Sequence, residues 1–234
     1  ACREMGFIVE GEGYKTVNIC GRDILILVGN DLAHFSEIDS KANFVVNVNS
    51  RRYGKGLLSR RLEMLRSLAY SEGRNIIIIN QVGGSGDIVY DGTSGIMNKQ
   101  GEIELYMKSF EEDFVLFDTL AEHKPVNVPY TTYNDRTRMV YHAACLGLRD
   151  YFHKSGYKKA CVGLSGGIDS SVVACLAVGA LGKENVKGLM MPSQFSSDES
   201  VEDAKMLAEN LGIEYSVLPI TEAYTAIMDT LKPV

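Results

Sequence analysis

The sequence has no apolar run approaching the roughly 20 residues that a membrane-spanning helix needs. Stretches such as 24–28 and 76–79 fall far short. Its first residues, ACREMGF, lack a basic segment followed by an apolar one, so no signal peptide is expected. Positive charge is not in excess. The 24 Lys and Arg stand against 30 Asp and Glu, a formal charge of -6, which argues against a broad nucleic-acid-binding face. Cysteine is scarce and odd in number. Cys2, Cys20, Cys145, Cys161 and Cys175 form no C-x-x-C pair and stand beside no histidine cluster, which excludes a disulfide framework and a zinc site. Most are expected to be small core residues in a reducing, cytoplasmic compartment. His34, His123, His142 and His153 show no metal-ligand spacing, and neither internal repeats nor low-complexity tracts are present. With 45% hydrophobic and 23% charged residues over 234 positions, the chain is ordinary globular material for one or two domains.

What is present alternates between short β-rich runs and helical stretches. Residues 14–19 and 24–28 flank Cys20-Gly21-Arg22-Asp23 as a hairpin, and 44–48 and 76–80 read as further strands. Between these, 57–72 places Leu58, Leu62, Leu65 and Leu68 at helical spacing. The basic cluster Arg51, Arg52, Lys55, Arg60 and Arg61 reads as the solvated face of that helix rather than as an anion site. Residues 83–86 are turn-rich, and strands at 95–98 and 103–106 are joined by Lys99-Gln100-Gly101. The pattern predicts a layered α/β domain over 1–118. A linker over 119–139, carrying Pro125 and Pro129, follows it. Next comes a helix at 137–155 with Val140, Ala144, Leu148 and Tyr151 or Phe152 on one face. Strands at 160–164, 186–191 and 215–219 then alternate with helices at 170–181 and 198–211, the order of a doubly wound parallel sheet over 140–234.

Residues 161–171 read C-V-G-L-S-G-G-I-D-S-S. An apolar strand feeds Ser165-Gly166-Gly167, and a helix is expected from about Asp169-Ser170. Two glycines let the backbone approach an anion closely, and successive N–H groups with a helix amino terminus favour the same anion. Ser165, Ser170 and Ser171 add hydroxyl donors. Asp169 repels phosphate directly, so a carboxylate here is explained as a ligand for Mg²⁺. The alternative is a plain strand-to-helix turn with Asp169 or Ser165 as N-cap. Neither G-x-x-x-x-G-K-[ST] nor G-x-G-x-x-G is present.

The stretch S-G-G-I-D-S-S resembles the pyrophosphate loop of the N-type ATP pyrophosphatases. With L-G-L-R-D-Y at 146–151 and M-M-P-S-Q-F-S-S-D-E-S-V-E-D-A at 190–204, it is similar to glutamine-dependent NAD synthetases. That resemblance implies a Rossmann-like, adenine nucleotide α-hydrolase-like domain. In it the carboxylate of deamido-NAD attacks the α-phosphate of ATP, and ammonia then displaces AMP. Ser165, Gly166, Gly167, Ile168, Ser170 and Ser171 would hold the pyrophosphate, Asp169 would bind Mg²⁺, and Met190 to Ser193, Met191 and Pro192 above all, would lie near the nucleotide. Arg149 and Tyr151 would contact deamido-NAD across a homo-oligomer interface, or are simply a surface Arg and a core aromatic on one helix. Other acceptors for the same loop chemistry, and a catalytically silent assembly subunit, are the competing readings.

The amino-terminal half has its own resemblance. Asn80-Gln81-Val82-Gly83-Gly84, Tyr90-Asp91-Gly92-Thr93-Ser94 and Phe110-Glu111-Glu112 resemble the nitrilase-like glutaminase domain of such synthetases, an αββα layered fold that frees ammonia from glutamine with a Cys, a Glu and a Lys. The Cys-bearing stretch is matched by Val28-Gly29-Asn30-Asp31-Leu32, so Gly29 holds the nucleophile position. The glutamine-contacting segment is matched by residues 49–55, with Asn49 and Lys55 as its remnant. Cys20 lies nine residues before the turn and faces no evident base, so it is read as a core or turn residue. Gly29 points to a degenerate glutaminase half in this chain, leaving glutamine or free ammonia as the nitrogen source. The resemblance also implies that 1–234 is part of a longer protein, with the front of the glutaminase domain and the carboxyl half of the synthetase domain outside it.

Overall fold

The computed structural model describes residues 13–126 and 136–231; Cys2, Pro129 and the middle of the expected linker, 127–135, lie outside them. The chain divides into two compact units, Ala1–Ala143 and Ala144–Val234.

In the first unit, β1 (Lys15–Ile19) and β2 (Arg22–Val28) pair antiparallel through a turn of only two residues, Cys20 and Gly21. Both take positive φ, 51° and 80°, the backbone shape that matches the twist of the flanking strands. The side chain of Asn18 pins the turn, accepting from Gly21 N at 3.1 Å and donating to Asp23 Oδ1 at 2.8 Å. Strands β2, β3 (Phe44–Asn49) and β4 (Asn75–Asn80) then run parallel. Strands β7 (Gly95–Met97) and β8 (Ile103–Tyr106) extend the sheet antiparallel, in the order β1-β2-β3-β4-β7-β8. Period-2 alternation gives the sheet two faces. Leu25, Leu27, Val45, Ile76 and Ile78 point to the side packed by Leu65 and Ala69 of α1 (Leu57–Glu72) and by Leu32 and Phe35 of a 3-10 helix, Gly29–Glu37. Ile26, Val28, Val48 and Ile79 point the other way and are exposed.

Three expectations fail here. The segment 83–86 is not a bare turn: β5 (Val82–Ser85) and β6 (Ile88–Asp91) form a hairpin of their own. Its glycines had erased the alternation by which a strand is recognised. Arg61 is not on a solvated face. The buried stripe of α1 runs Leu58, Arg61, Leu65, Ala69, so helical spacing itself carries Arg61 inward. There its guanidinium grips Asp91 in a two-pronged pair, Nη2 to Oδ1 at 3.0 Å and to Oδ2 at 2.9 Å. Burial pushes the Asp91 carboxyl above its ordinary range, against the opposing pull of Arg61 and of Asn80, whose Nδ2 donates to Oδ1 at 3.0 Å. Nor are the cysteines mostly core residues: Cys20 and Cys161 are exposed, Cys175 is half-buried and Cys145 is buried.

The second unit is built on three parallel strands, β9 (Ala160–Gly163), β10 (Val186–Met190) and β11 (Glu214–Val217), ordered β11-β10-β9. Helices α3 (Ile168–Leu181) and α4 (Asp198–Leu211) are the crossovers, and α5 (Thr221–Leu231) follows β11. Val162, Leu164, Val186, Met190 and Ile213 pack with Ala174, Ala177, Ala204 and Ala208 in one core. Helix α2 (Arg136–Lys154) starts inside the span expected to be linker and crosses the division between the units. Its buried residues are Met139, Ala143, Cys145 and Leu146. Val140 and Tyr151, expected inside, are 50% and 59% exposed, so the buried stripe is rotated by one residue from the expected one. Among the described residues no helix is long and apolar enough to cross a membrane.

The Arg61–Asp91 pair yields a stability prediction. Arg61→Met strands a buried carboxylate and is expected to cost about 3–5 kcal/mol in urea unfolding. The double variant Arg61→Met/Asp91→Leu is expected to cost well under the sum of the two single changes, because no charge is then left buried alone.

Candidate functional site

Strand β9 ends at Gly163, although Leu164 N still donates to Leu189 O at 2.8 Å. The chain then turns through Ser165 and Gly166, the latter at φ 78°. Helix α3 begins at Ile168, two residues before the expected start, with Gly167 as a cap residue that offers no side-chain hydrogen bond. Neither Asp169 nor Ser165 is the N-cap. The hydroxyls instead brace the loop from within. Ser170 Oγ donates to Gly167 O at 2.9 Å and Ser171 Oγ to the same carbonyl at 3.0 Å. Ser165 Oγ accepts from Gly167 N at 3.3 Å and shares a 3.1 Å hydrogen bond with Ser170 Oγ. The amino end of a 14-residue helix is thus left without a side-chain cap and faces outward beside two glycines, the arrangement that suits an anion. Asp169 stands exposed in the first helical turn, open to a cation.

Beside the loop lies a cavity of about 340 Å³ at the carboxyl ends of β9 and β10, where open parallel sheets hold their ligands. Ser165, Met190, Met191 and Pro192, singled out in the sequence, line it together with Ser196, Ser200 and Val201, which the sequence offered only as part of the stretch 190–204. The signal that could have found this helix start was Ser197 followed by Asp198 and Glu199, a capping hydroxyl with acidic residues in the first turn. Ser197 is indeed the N-cap of α4. Gly166 packs directly on that helix: a Cβ built there would lie 2.3 Å from Ser200 O and 2.9 Å from Ser200 C and Cα. A larger hollow, about 610 Å³, lies in the first unit over the exposed sheet face, with Ile77, Ile79, Ile96, Phe114 and Phe117 among its walls. Its hydroxyls come from Thr93, Ser94 and Thr119, and it lacks the helix amino terminus found beside the loop.

The other sequence-singled residues fall in different surroundings. Gly29 follows β2 directly, at φ 58°, with no atom within 4 Å of a Cβ built on it. Its carbonyl accepts from Asn47 Nδ2 at 3.3 Å. Asn49 is buried, donates to Asn47 Oδ1, and accepts from Arg51 Nε at 3.2 Å. Lys55 is exposed in the turn before α1. Burial and the neighbouring Arg61 charge hold Arg51 below the usual arginine range. Cys20 sits in the hairpin at the opposite end of β2 from Gly29, about 20 Å away at strand rise. Arg149 and Tyr151 are exposed on α2, with Arg149 Nε 3.9 Å from Asp150 Oδ1.

Residues 140–234 match the NAD synthase family. Nearly the whole chain, 98%, is 37% identical to the glutamine-dependent NAD(+) synthetase of Aquifex aeolicus, covering 47% of that protein. For the Synechocystis protein of the same name the identity is 40% over 84% of this chain and 36% of the relative. The chain therefore spans less than half the length of these curated relatives. A solved structure of the glutamine-dependent NAD+ synthetase of Acinetobacter baumannii in complex with ADP superposes with a TM-score of 0.85 at 31% identity, over 97% of this chain and 44% of that one. A second, from Cytophaga hutchinsonii, shares the fold at a TM-score of 0.76, 19% identity, 94% of this chain and 42% of that one.

The loop geometry predicts unequal responses at adjacent glycines. Gly166→Ala meets both a left-handed φ, worth about 1–2 kcal/mol, and the backbone of Ser200, so thermal unfolding should fall by more than that amount. Gly167→Ala, at φ -84° with its nearest neighbour 3.4 Å away, should cost at most about 1 kcal/mol as a poorer cap residue.

Proposed function

We propose that this chain, a relative of the glutamine-dependent NAD(+) synthetases along nearly its whole length, takes part in the ATP-dependent amidation of deamido-NAD to NAD, releasing AMP and pyrophosphate. The observation that carries the reading is the S-G-G-I-D-S-S turn between β9 and α3. It opens on a cavity rimmed by hydroxyls and by the ends of two strands, within the segment matched to the NAD synthase family. Backbone N–H groups at Gly166 and the start of α3 hold the pyrophosphate portion of ATP, with Gly167, whose N–H is turned to Ser165 Oγ, and Ser165, Ile168, Ser170 and Ser171 shaping the loop. Met191 and Pro192 form the nucleotide-side wall. One carboxylate with phosphate oxygens and water suits Mg²⁺, which is seldom caged by protein alone. Asp169 supplies that carboxylate, and the ion would neutralise charge building on the leaving pyrophosphate. Arg149 and Tyr151, exposed on α2, are the residues offered to deamido-NAD.

The nitrogen donor in this reading is free ammonia. Attack on an amide needs a nucleophile with a base, and Gly29 has no side chain, while the amides around it are spent on holding one another. Asn49 and Lys55 are then a remnant of glutamine contact. Exposed Ile168, Val172 and Val173 on α3 support association between copies of the protein. Free thiols at Cys20, Cys145, Cys161 and Cys175 support a reducing, cytoplasmic setting.

NAD formation by the natural full-length protein, supplied with Mg²⁺, ATP and deamido-NAD, tests this. Turnover is expected with ammonium and not with glutamine. Equal turnover with glutamine would refute the assignment of Gly29, and no turnover with either would refute the synthetase reading. Asp169→Asn is expected to lower kcat by about 10²-fold or more, the scale of losing one preorganised electrostatic group, while leaving the unfolding midpoint nearly unchanged because Asp169 is exposed.

A further inference from the structure

We infer that Ser197, which does not line the cavity, is a positioning residue for ATP. Through Ser200 it holds the phosphate loop in its binding shape. The inference rests on the reading of residues 165–171 as an ATP loop, and it adds a residue that the motif does not contain.

Gly166 has no clearance above the first turn of α4, since the backbone carbonyl, carbon and Cα of Ser200 all lie within 3 Å of where a Cβ would stand. The φ of 78° at Gly166, and with it the direction of the Gly166 and Gly167 N–H groups, therefore depends on where Ser200 is. Ser200 is the third residue of α4, in the fraying turn of a helix, and Ser197 fixes it twice. Ser197 Oγ accepts from Ser200 N at 3.2 Å and shares a 2.8 Å hydrogen bond with Ser200 Oγ. The chain just upstream closes on itself, with Ser193 N donating to Ser196 Oγ at 3.0 Å and Phe195 N to Ser193 Oγ at 3.2 Å. Those hydroxyls are thus occupied within their own turn, and the cap at Ser197 is what ties α4's first turn down. When that turn frays, Ser200 retreats, the loop loses its seat, and the fraction of molecules able to hold the triphosphate falls. The apparent dissociation constant rises by the reciprocal of that fraction. Ser197 itself is exposed, so its replacement opens no core cavity.

Binding of Mg·ATP to the full-length protein by calorimetry, paired with steady-state kinetics, tests the inference. Ser197→Ala is expected to raise both the Kd and the KM for ATP about three- to tenfold, the range that loss of a cap represents. At saturation kcat should stay within about twofold, and the KM for the second substrate should not move. Ser197→Thr keeps the capping oxygen and should return the ATP constants to within about twofold of wild type. A merely destabilised protein would lose all parameters together, and thermal unfolding of each variant would show it. Unchanged ATP affinity in Ser197→Ala, or equal damage in Ser197→Thr, overturns the positioning role alone. A wild-type protein with no affinity for ATP overturns the ATP-loop reading and this inference with it.

Discussion

The second unit is organised around a lack of room. At Gly166 the chain passes so close to the first turn of α4 that even a methyl group has no place. The same economy recurs through the unit. The buried residues of α3 are Ala174, Ala177 and Ala180, and those of α4 are Ala204 and Ala208. A Cβ on Gly188 would lie 2.7 Å from Leu164 Cδ1, so Leu164 fills the space that a larger strand residue would have taken. Small residues let both helices lie close against the three-stranded sheet. Close packing in turn brings two helix starts and two strand ends around one cavity. The turn proposed to bind an anion is therefore a product of packing as much as of its own motif.

The first unit meets the same need for specificity with polar groups. Asn47, Asn49 and Asn80 occupy inward positions at the ends of β3 and β4, in line with Leu27 and Ile78. Asn80 alone reaches Arg51 O at 3.2 Å, Asp91 Oδ1 at 3.0 Å and Gly92 O at 2.9 Å. Such a network is stable when complete and costly when broken. It ties β3, β4, β6 and α1 into one arrangement that a purely apolar core would specify less sharply. It also reaches the turn after β2, through Asn47 and the carbonyl of Gly29.

How much of this was legible beforehand follows from the kind of signal each feature leaves. Strands with strong alternation, and the helix 57–72, stand almost where periodicity puts them, because burial on one face writes itself into the sequence. The loop 165–171 was legible because its residues are needed for their backbone freedom and hydroxyls, which survive as a short string. Arg61 was not, because a charged residue on an apolar stripe is read as surface unless its partner is known. That partner, Asp91, lies 30 residues away in a hairpin whose glycines hide it. Ser200 escaped for a related reason: its importance lies in a backbone contact with Gly166, and backbone contacts leave little mark on residue type.

Gly29 shows how a proposed loss of chemistry and a retained fold fit together. Its φ of 58° is a conformation that costs any other common residue about 1–2 kcal/mol. Space does not select glycine there, since a Cβ would meet nothing within 4 Å; conformation does. A nucleophilic side chain on such a turn is strained, and strain of this kind persists only while function requires it. Once ammonia comes from elsewhere, as proposed, glycine is the residue that stability alone would choose at this turn. The surrounding amides gain nothing from a parallel loss, because each of them is holding the sheet together. Decay of a catalytic turn would then leave this pattern: a relaxed residue at the reacting position, inside a polar network that folding still needs.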